Sequence, residues 1–314
     1  MNTPFASVVV ETVTARYGST TGYLADDLEK TLAALDRQTY PRDRRETIVA
    51  LHPTATAEES AEIVRRHPAV RLVTSSQDNY FAAKNAGAAA AKGQIIALID
   101  GDCIADDDWL EMLAGALKPG VGAVAGRTRY SGKSFEARTF SVPDFAYVVG
   151  DSNGAATGFN LNNVAYRREV ILAHPFEARL RRNGGCYLLF HQLRTLGIPV
   201  LYEPRARVSH ELDFHGLGFI RKHFERGRDG VDAYRFDEGI VLKGTRLVRR
   251  AGPLAMIPIY GRRLVVDWLS MIRNRRDIGV HLAALPYFAA VLVLTRGIEF
   301  IGAMTAFAPV RWST

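Results

Sequence analysis

The sequence is poor in several features, and each scarcity closes off a reading. It has two cysteines in 314 residues, Cys103 and Cys186. That is too few for a disulfide framework, and they lack the spacing of a zinc site. A reducing cytosol fits this usage. No basic segment leads into an apolar one at the N-terminus, so no signal peptide is expected. No internal repeat or low-complexity tract appears. A free-standing spanning helix wants about 20 apolar residues with few charges, and no segment meets that cleanly. The formal charge of +7 and sequence pI of about 9.5 suit phosphates, nucleic acid or an anionic membrane surface. No motif for reading nucleic acid is recognised, and none is expected as a partner. A nucleotidyltransferase usually carries a Gly-rich phosphate loop near its first strand. Residues 16–22 (RYGSTTG) are a poor version of one.

With 47% hydrophobic and 23% charged residues, the chain can bury one large α/β domain plus an appendage. Residues 5–13 (FASVVVETV) form a β-branched run that predicts a buried first strand. Leu24, Leu28, Leu32 and Leu35 recur at helical spacing with charges between them. Strands follow over 47–51 and 70–74, with a short helix between. The alanine-rich stretch 79–92 predicts a helix, and an apolar run (QIIALI) leads into Asp100-Gly101-Asp102. This alternation predicts a mostly parallel central sheet flanked by helices. Ligands in such sheets sit beyond the carboxyl ends of the strands, where Glu11, Asp100 and Asp102 fall. Two carboxylates one residue apart at such an end predict a site for a hard divalent cation, which takes oxygen ligands and substrate phosphates. Residues 127–155 show no clear period and predict loops over a site.

The last third changes character. Arginines alternate with apolar segments over 253–260, 264–272 and 278–294; Pro286 lies inside the last of these, and Arg296 and Glu299 interrupt the final apolar stretch. The pattern predicts helices lying in a membrane interface.

Several ordered motifs carry a resemblance. Lys84-Asn85-Ala86-Gly87, the run from Gly93 to Asp102, and Trp109-Leu110 resemble the nucleotide-sugar half of family 2 glycosyltransferases. Residues 159–168 (FNLNNVAYRR) are similar to the family's acceptor-side segment, and Gly197 to Pro204 followed by His210 to its closing motif. The resemblance covers roughly residues 5–230. It implies an α/β GT-A fold over 1–235, with a helical membrane-associating extension over 236–314. It implies a hexosyltransferase-like, metal-dependent enzyme, inverting in stereochemistry, that uses Mn²⁺ or Mg²⁺ and a nucleotide-diphosphate sugar, with a UDP-sugar favoured. Asp100, Asp102 and His210 would hold the metal. Glu11, Lys84, Asp100 and Asp102 would meet the donor. The acceptor would be a sugar, a lipid-linked sugar or a phosphate. The setting would be cytoplasmic, on the inner face of the cell membrane, in cell-envelope synthesis. Arg311-Trp312 lacks the glutamine of the processive synthases' motif, so one transfer per encounter is expected.

Two departures stand out. Leu51-His52-Pro53-Thr54 replaces the acid that usually reads the base. Gly184-Gly185-Cys186 replaces the usual Gly-Glu-Asp, whose Asp is the general base, so that carboxylate is missing. Cys186, with a thiol pKa lowered at a helix N-terminus, and His191 are the catalytic candidates beside Asp102. Asp144, Asp151 and Glu177 are further candidate bases. An acceptor that is already an anion, such as a lipid phosphate, would need no base. A catalytically impaired nucleotide-sugar-binding or membrane scaffold is the alternative.

Overall fold

A computed structural model describes residues 5–17, 22–131, 135–145, 148–210, 217–239, 241–275 and 280–307. The first half alternates strand and helix. β1 (Ala6–Glu11) leads to α1 (Val13–Tyr17) and α2 (Leu24–Asp36); β2 (Arg45–Leu51) precedes α3 (Ala57–Arg66). β3 (Val70–Thr74) precedes α4 (Tyr80–Ala90), and β4 (Ile95–Asp100) is followed by β5 (Cys103–Ala105) and α5 (Trp109–Ala116). Most expected elements of this half are present within a residue or two. Part of the expected loop over 16–22 lies outside the described residues, and Tyr17 ends α1.

The second half holds β6 (Ala123–Tyr130), α6 (Phe135–Phe145), β7 (Val164–Arg167), α7 (Arg168–Ala173), α8 (Gly185–Thr195) and β8 (Val200–His210). The chain closes with α9 (Leu217–Arg235), α10 (Thr245–Ala251), α11 (Met256–Asn274) and α12 (Leu285–Thr305). One eight-stranded sheet has the order β3-β2-β1-β4-β7-β6-β8-β5. β1 to β4 pair in parallel. β7 runs antiparallel to β4 and β6, and β5 antiparallel to β8.

Both faces of the parallel half are covered, which explains its unbroken apolar runs. Val9, Ile48, Ile96 and Leu98 pack with Phe81 of α4 and Leu189 of α8. Val8, Val10, Val49 and Ile99 pack with Leu28 and Leu32 of α2 and Trp109 of α5. Each fully buried Val or Ile contributes about 1.5–3 kcal/mol. Asn79 fixes where α4 begins: its side-chain oxygen accepts from the backbone N–H groups of Phe81 and Ala82, and its amide donates to the Leu180 carbonyl.

Two expectations change. Residues 127–155 are not all loop, since β6 runs to Tyr130 and α6 covers 135–145. Their order comes from side chains that other elements supply, so no local period marks them. Among the described residues one helix, spanning Leu282–Thr305, is long and apolar enough to cross a membrane. Pro286 lies in the first turn of α12, where proline is tolerated. Arg296 and Glu299 are buried against each other and against α11 and α9.

α9, which a boundary at 235 assigns to the first domain, lies along α12. A Cβ on Gly227 would come 1.9 Å from the Glu299 carbonyl oxygen, and one on Gly302 would come 2.0 Å from the Phe224 carbonyl oxygen. The two backbones touch because both positions are glycine. Gly227→Ala is expected to destabilise the fold by about 1–3 kcal/mol, the usual cost of overpacking. Urea unfolding measures it, and an unchanged midpoint would mean that α12 does not dock on α9.

Candidate active site

The site forms where β1 and β4 end together. Glu11 and Asp100 are partners in their parallel register, so both carboxyls lie at one sheet edge. Gly101 then turns the chain: its N–H donates to the Glu11 carbonyl oxygen at 3.0 Å. A Cβ there would meet Leu28 at 2.6 Å and that carbonyl at 2.9 Å. Asp102 therefore leaves the strand plane, and the chain re-enters the sheet at its far edge as β5. There Cys103 pairs with His210, the last residue of β8. This register brings the His210 Nε2 to 3.3 Å from the Asp102 carboxylate. Asp102, Cys103 and His210 offer ligand atoms all within 4.8 Å of one another.

Asp100 is outside that group. Its carboxylate accepts from the Lys84 ammonium at 2.6 Å and from the Tyr80 hydroxyl at 3.0 and 3.2 Å. Two carboxylates at i and i+2 face one way only while the strand continues, and β4 ends at Asp100. Lys84 is likewise not placed to reach phosphates. It is 0% exposed, donates also to the Leu161 carbonyl at 3.1 Å, and stands over the Tyr80 ring. The pair thus ties α4 to the 159–163 segment beneath the site. Asn163 there accepts from the Trp109 indole at 2.8 Å and donates to the Ala206 carbonyl, and its place is in the interior.

Glu11 is fully buried. Its carboxyl accepts from the N–H groups of Val13 and Thr14 and bonds the Thr14 hydroxyl, which caps α1. Burial, then the charge of Asp100, push its pKa up to about 8. It is neutral near pH 7, and Lys84 and Asp100 cancel each other beside it.

His210 is gripped by aromatic rings. Tyr130 sits edge-on at 5.5 Å and Phe145 is tilted at 5.9 Å. The Tyr130 hydroxyl bonds Asp144 and Lys222. Asp144 also pairs with Lys222 at 2.8 Å and with Arg226, and these cations hold its carboxyl well below the usual range despite burial. Tyr80 was findable from sequence, one turn before Lys84 on the same helical face. Tyr130 had no local signal.

None of the candidate bases becomes an obvious one. Gly184 caps α8 with φ 91°, and a Cβ on Gly185 would strike the Phe81 ring at 2.3 Å. Phe81 fills the space a Glu at 185 would need, and the base position, 186, holds Cys186. The Cys186 thiol is pushed up by burial, so the expected lowering at a helix N-terminus is overturned. Burial and the nearby Arg194, Lys243 and Arg262 lower His191 to about 4. It packs against Tyr187 and Phe190, and these neighbours are not those of Asp102. Asp144 is saturated by cations. Glu177 chelates Arg179 at 2.6 and 2.9 Å, and Asp151 accepts from the N–H groups of Asn153 and Ala155 in its own turn. His52, where a base-reading acid is usual, meets the carboxylate of Asp78 at 2.7 Å.

Removing one partner of a buried ion pair costs about 3–5 kcal/mol, so Lys84→Ala is expected to lower unfolding free energy by that order in chemical denaturation. A change within error would make the pair incidental. Glu11 yields a pH signature. The unfolded carboxyl ionises near 4.5 while the folded one keeps its proton to about 8, so the folded state loses stability as pH rises across that window. Glu11→Gln should flatten the fall in Tm between pH 5 and 8; an identical slope in both proteins would refute the neutral carboxyl.

Comparison with known proteins agrees with this geometry. The model of the family described as "Glycosyl transferase family 2" matches residues 18–174, half of the chain. Two curated relatives come from Haloferax volcanii. Glycosyltransferase AglE is 28% identical over 134 residues, which is 41% of this chain and 40% of that protein. A glucosyl-dolichyl phosphate glucuronosyltransferase is 27% identical over 142 residues, 40% of this chain and 45% of that protein. The chain thus spans less than half the length of either. Among solved structures, the mannosyltransferase PcManGT from Pyrobaculum calidifontis, in complex with GDP-Man and Mn²⁺, superposes with a TM-score of 0.59 at 19% identity, over 98% of this chain and 88% of that one. GalNAc-T7 with UDP, GalNAc and Mn²⁺ gives 0.54 at 14% identity, over 76% and 49%. These two structures share the GT-A fold of this protein, and the sequence match places it in a family: the chain belongs to the family 2 glycosyltransferases.

Proposed function

We propose that this chain transfers a sugar from a nucleotide-diphosphate donor to a lipid-linked or phosphate acceptor. The observation that carries the reading is the Asp102–His210 pair, 3.3 Å apart at the ends of the strands, where ligands of such sheets bind. The carboxylate suits Mn²⁺ or Mg²⁺, the imidazole suits the softer Mn²⁺ better than Mg²⁺, and the remaining positions are left to phosphate oxygens and water. Asp102 and His210 would hold the ion. The Cys103 thiol is a soft donor and a poor partner for a hard cation. When bound, the ion would supply neutralisation of the charge on the departing diphosphate. The protein's own groups do the rest. Tyr130 and Phe145 fix the plane of the His210 ring, and the Lys84–Asp100 pair fixes the turn that presents Asp102.

The acceptor class follows from what fills the base position. With Cys186 standing where the Asp is usual and its thiol held protonated by burial, an acceptor that is already an anion suits the site best. A phosphate monoester has its second pKa near 6 and needs no deprotonation. The glucosyl-dolichyl phosphate in one relative's name is a lipid-linked sugar, which supports the lipid-linked form of the acceptor rather than the free phosphate. We place the reaction on the inner face of the cell membrane, with inversion at the sugar.

Calorimetric titration of UDP and GDP, with and without Mn²⁺, tests the donor half. Mn²⁺-dependent binding of one nucleotide is expected, with UDP favoured. Asp102→Ala and His210→Ala should each weaken metal-dependent binding by more than the about 10–100-fold that loss of an outer-shell partner costs. Binding that ignores Mn²⁺, or survives both substitutions, would overturn the metal assignment. Turnover of a sugar hydroxyl with no turnover of polyprenyl phosphate would overturn the acceptor class. Nucleotide binding without any turnover would favour the scaffold reading.

A further inference from the structure

The surface of α11 and α12 is where the apolar residues of this protein are exposed. Among the described residues, eleven of the 18 exposed large apolar side chains lie between Leu254 and Ile301. On α12 the outward positions recur at helical spacing: Tyr287, Ala290, Val293, Leu294, Gly297 and Ile301 are all exposed, and none carries charge. On α11, Ile257, Val265, Val266 and Leu269 are each about half exposed or more. Monomeric soluble proteins seldom present so many apolar side chains along two adjoining helices, and such bands mark docking sites.

Charge singles out the occupant. Arg246, Arg249, Arg250, Arg262 and Arg273 are exposed on α10 and α11. The acids among the described residues from 243 onward are Asp267 and Glu299, and both are turned inward. Asp267 is paired with Arg296 at 2.7 Å, and Glu299 with Arg263 at 2.9 Å and Arg296 at 2.8 Å. The outer surface therefore offers apolar side chains with cations and no exposed acid among them. That composition fits an anionic lipid surface, in which the apolar stripe enters the acyl boundary while arginines meet the headgroups.

We infer that α11 and α12 dock the protein flat on an anionic lipid leaflet, and that α12 does so without crossing it. Its length and apolarity permit a crossing, but its inner face is fastened to α9. The contact is at backbone distance through Gly227 and Gly302, and α9 carries Arg221, Lys222, Glu225 and Arg226. A helix so charged does not enter hydrocarbon, and α12 cannot enter alone without breaking the Glu299–His223 contact at 2.9 Å. The same α9 holds Asp144 and, through it, Tyr130 beside His210. A leaflet on the outer side of α12 is thus linked through α12 and α9 to the candidate metal site. The inference rests on the proposed membrane-side acceptor for its purpose, but not for its physics.

Flotation of the full-length chain with vesicles tests it. Binding is expected to vesicles containing phosphatidylglycerol, to be weaker by about tenfold with phosphatidylcholine alone, and to be released by alkaline carbonate. The double substitution Val266→Glu with Leu294→Glu should reduce flotation by about tenfold or more and leave Mn²⁺-dependent nucleotide binding unchanged, which also reports on folding. Carbonate-resistant insertion would overturn the in-plane placement. Undiminished flotation of the double variant, or no flotation of the wild type, would overturn the surface. So would a wild-type dimer in sedimentation that the variant abolishes, since a second copy would then cover the face. Vesicle binding without nucleotide binding would sink the proposed transfer reaction and leave the surface standing.

Discussion

Everything at the candidate site depends on one buried ion pair. Lys84 and Asp100 meet at 2.6 Å with almost no solvent, and such a pair is tolerated only if its other hydrogen-bonding capacity is met. Here it is met: Tyr80 donates to the carboxylate, and the ammonium donates to the Leu161 carbonyl. Glu11 stands across the strand register and would spoil this balance if ionised. Its raised pKa is the way the fold avoids two carboxylates against one ammonium. The pair joins the end of β4, the middle of α4 and the segment entering β7. That junction sets the turn at Gly101, which in turn sets where Asp102 points. The conspicuous first aspartate is therefore a scaffold for the second.

A second set of buried charges performs the equivalent task for the C-terminal helices. Asp144, Lys222 and Arg226 join α6 to α9; His223, Glu299, Arg296 and Asp267 join α9 to α12 and α11. Replacing such groups by apolar ones often costs little or even stabilises, so their value lies in specifying an arrangement rather than in raw stability. What they specify is the position of Tyr130, whose ring lies on His210. The apolar helices and His210 of the candidate site are thus parts of one mechanical chain.

Much of the fold was legible in the sequence, and the reason is local. Strands buried on both faces read as unbroken β-branched runs, and helices such as α2 show their stripe at every turn. His210 was legible from the closing motif, and the β5–β8 register then delivered it to Asp102. Illegible parts are those whose order is supplied from a distance. α6 has no clean apolar period because its buried Asp144 is neutralised by residues some 80 positions later. α12 read as broken because Arg296 and Glu299 look like solvent-facing charges until their partners are known. Asp100 misled for a related reason, since period-two reasoning assumes a strand that β4 does not continue.

Gly185, the residue before the base position at Cys186, also has a packing cause. A carboxylate at 185 requires space beside α4, and the α4 residue there is Phe81, 1% exposed and in contact with Tyr80 and Phe176. Restoring Glu at 185 alone would drive a side chain into that ring, so the loss of the acid and the presence of the aromatic belong together. Phe81 moreover sits one residue after Tyr80, which holds Asp100. An enzyme that built its ion pair this way gave up room for that Glu in the same stroke. The base position itself, 186, holds a thiol that burial keeps protonated, and the proposed acceptor, an anion that needs no deprotonation, is the nucleophile consistent with it.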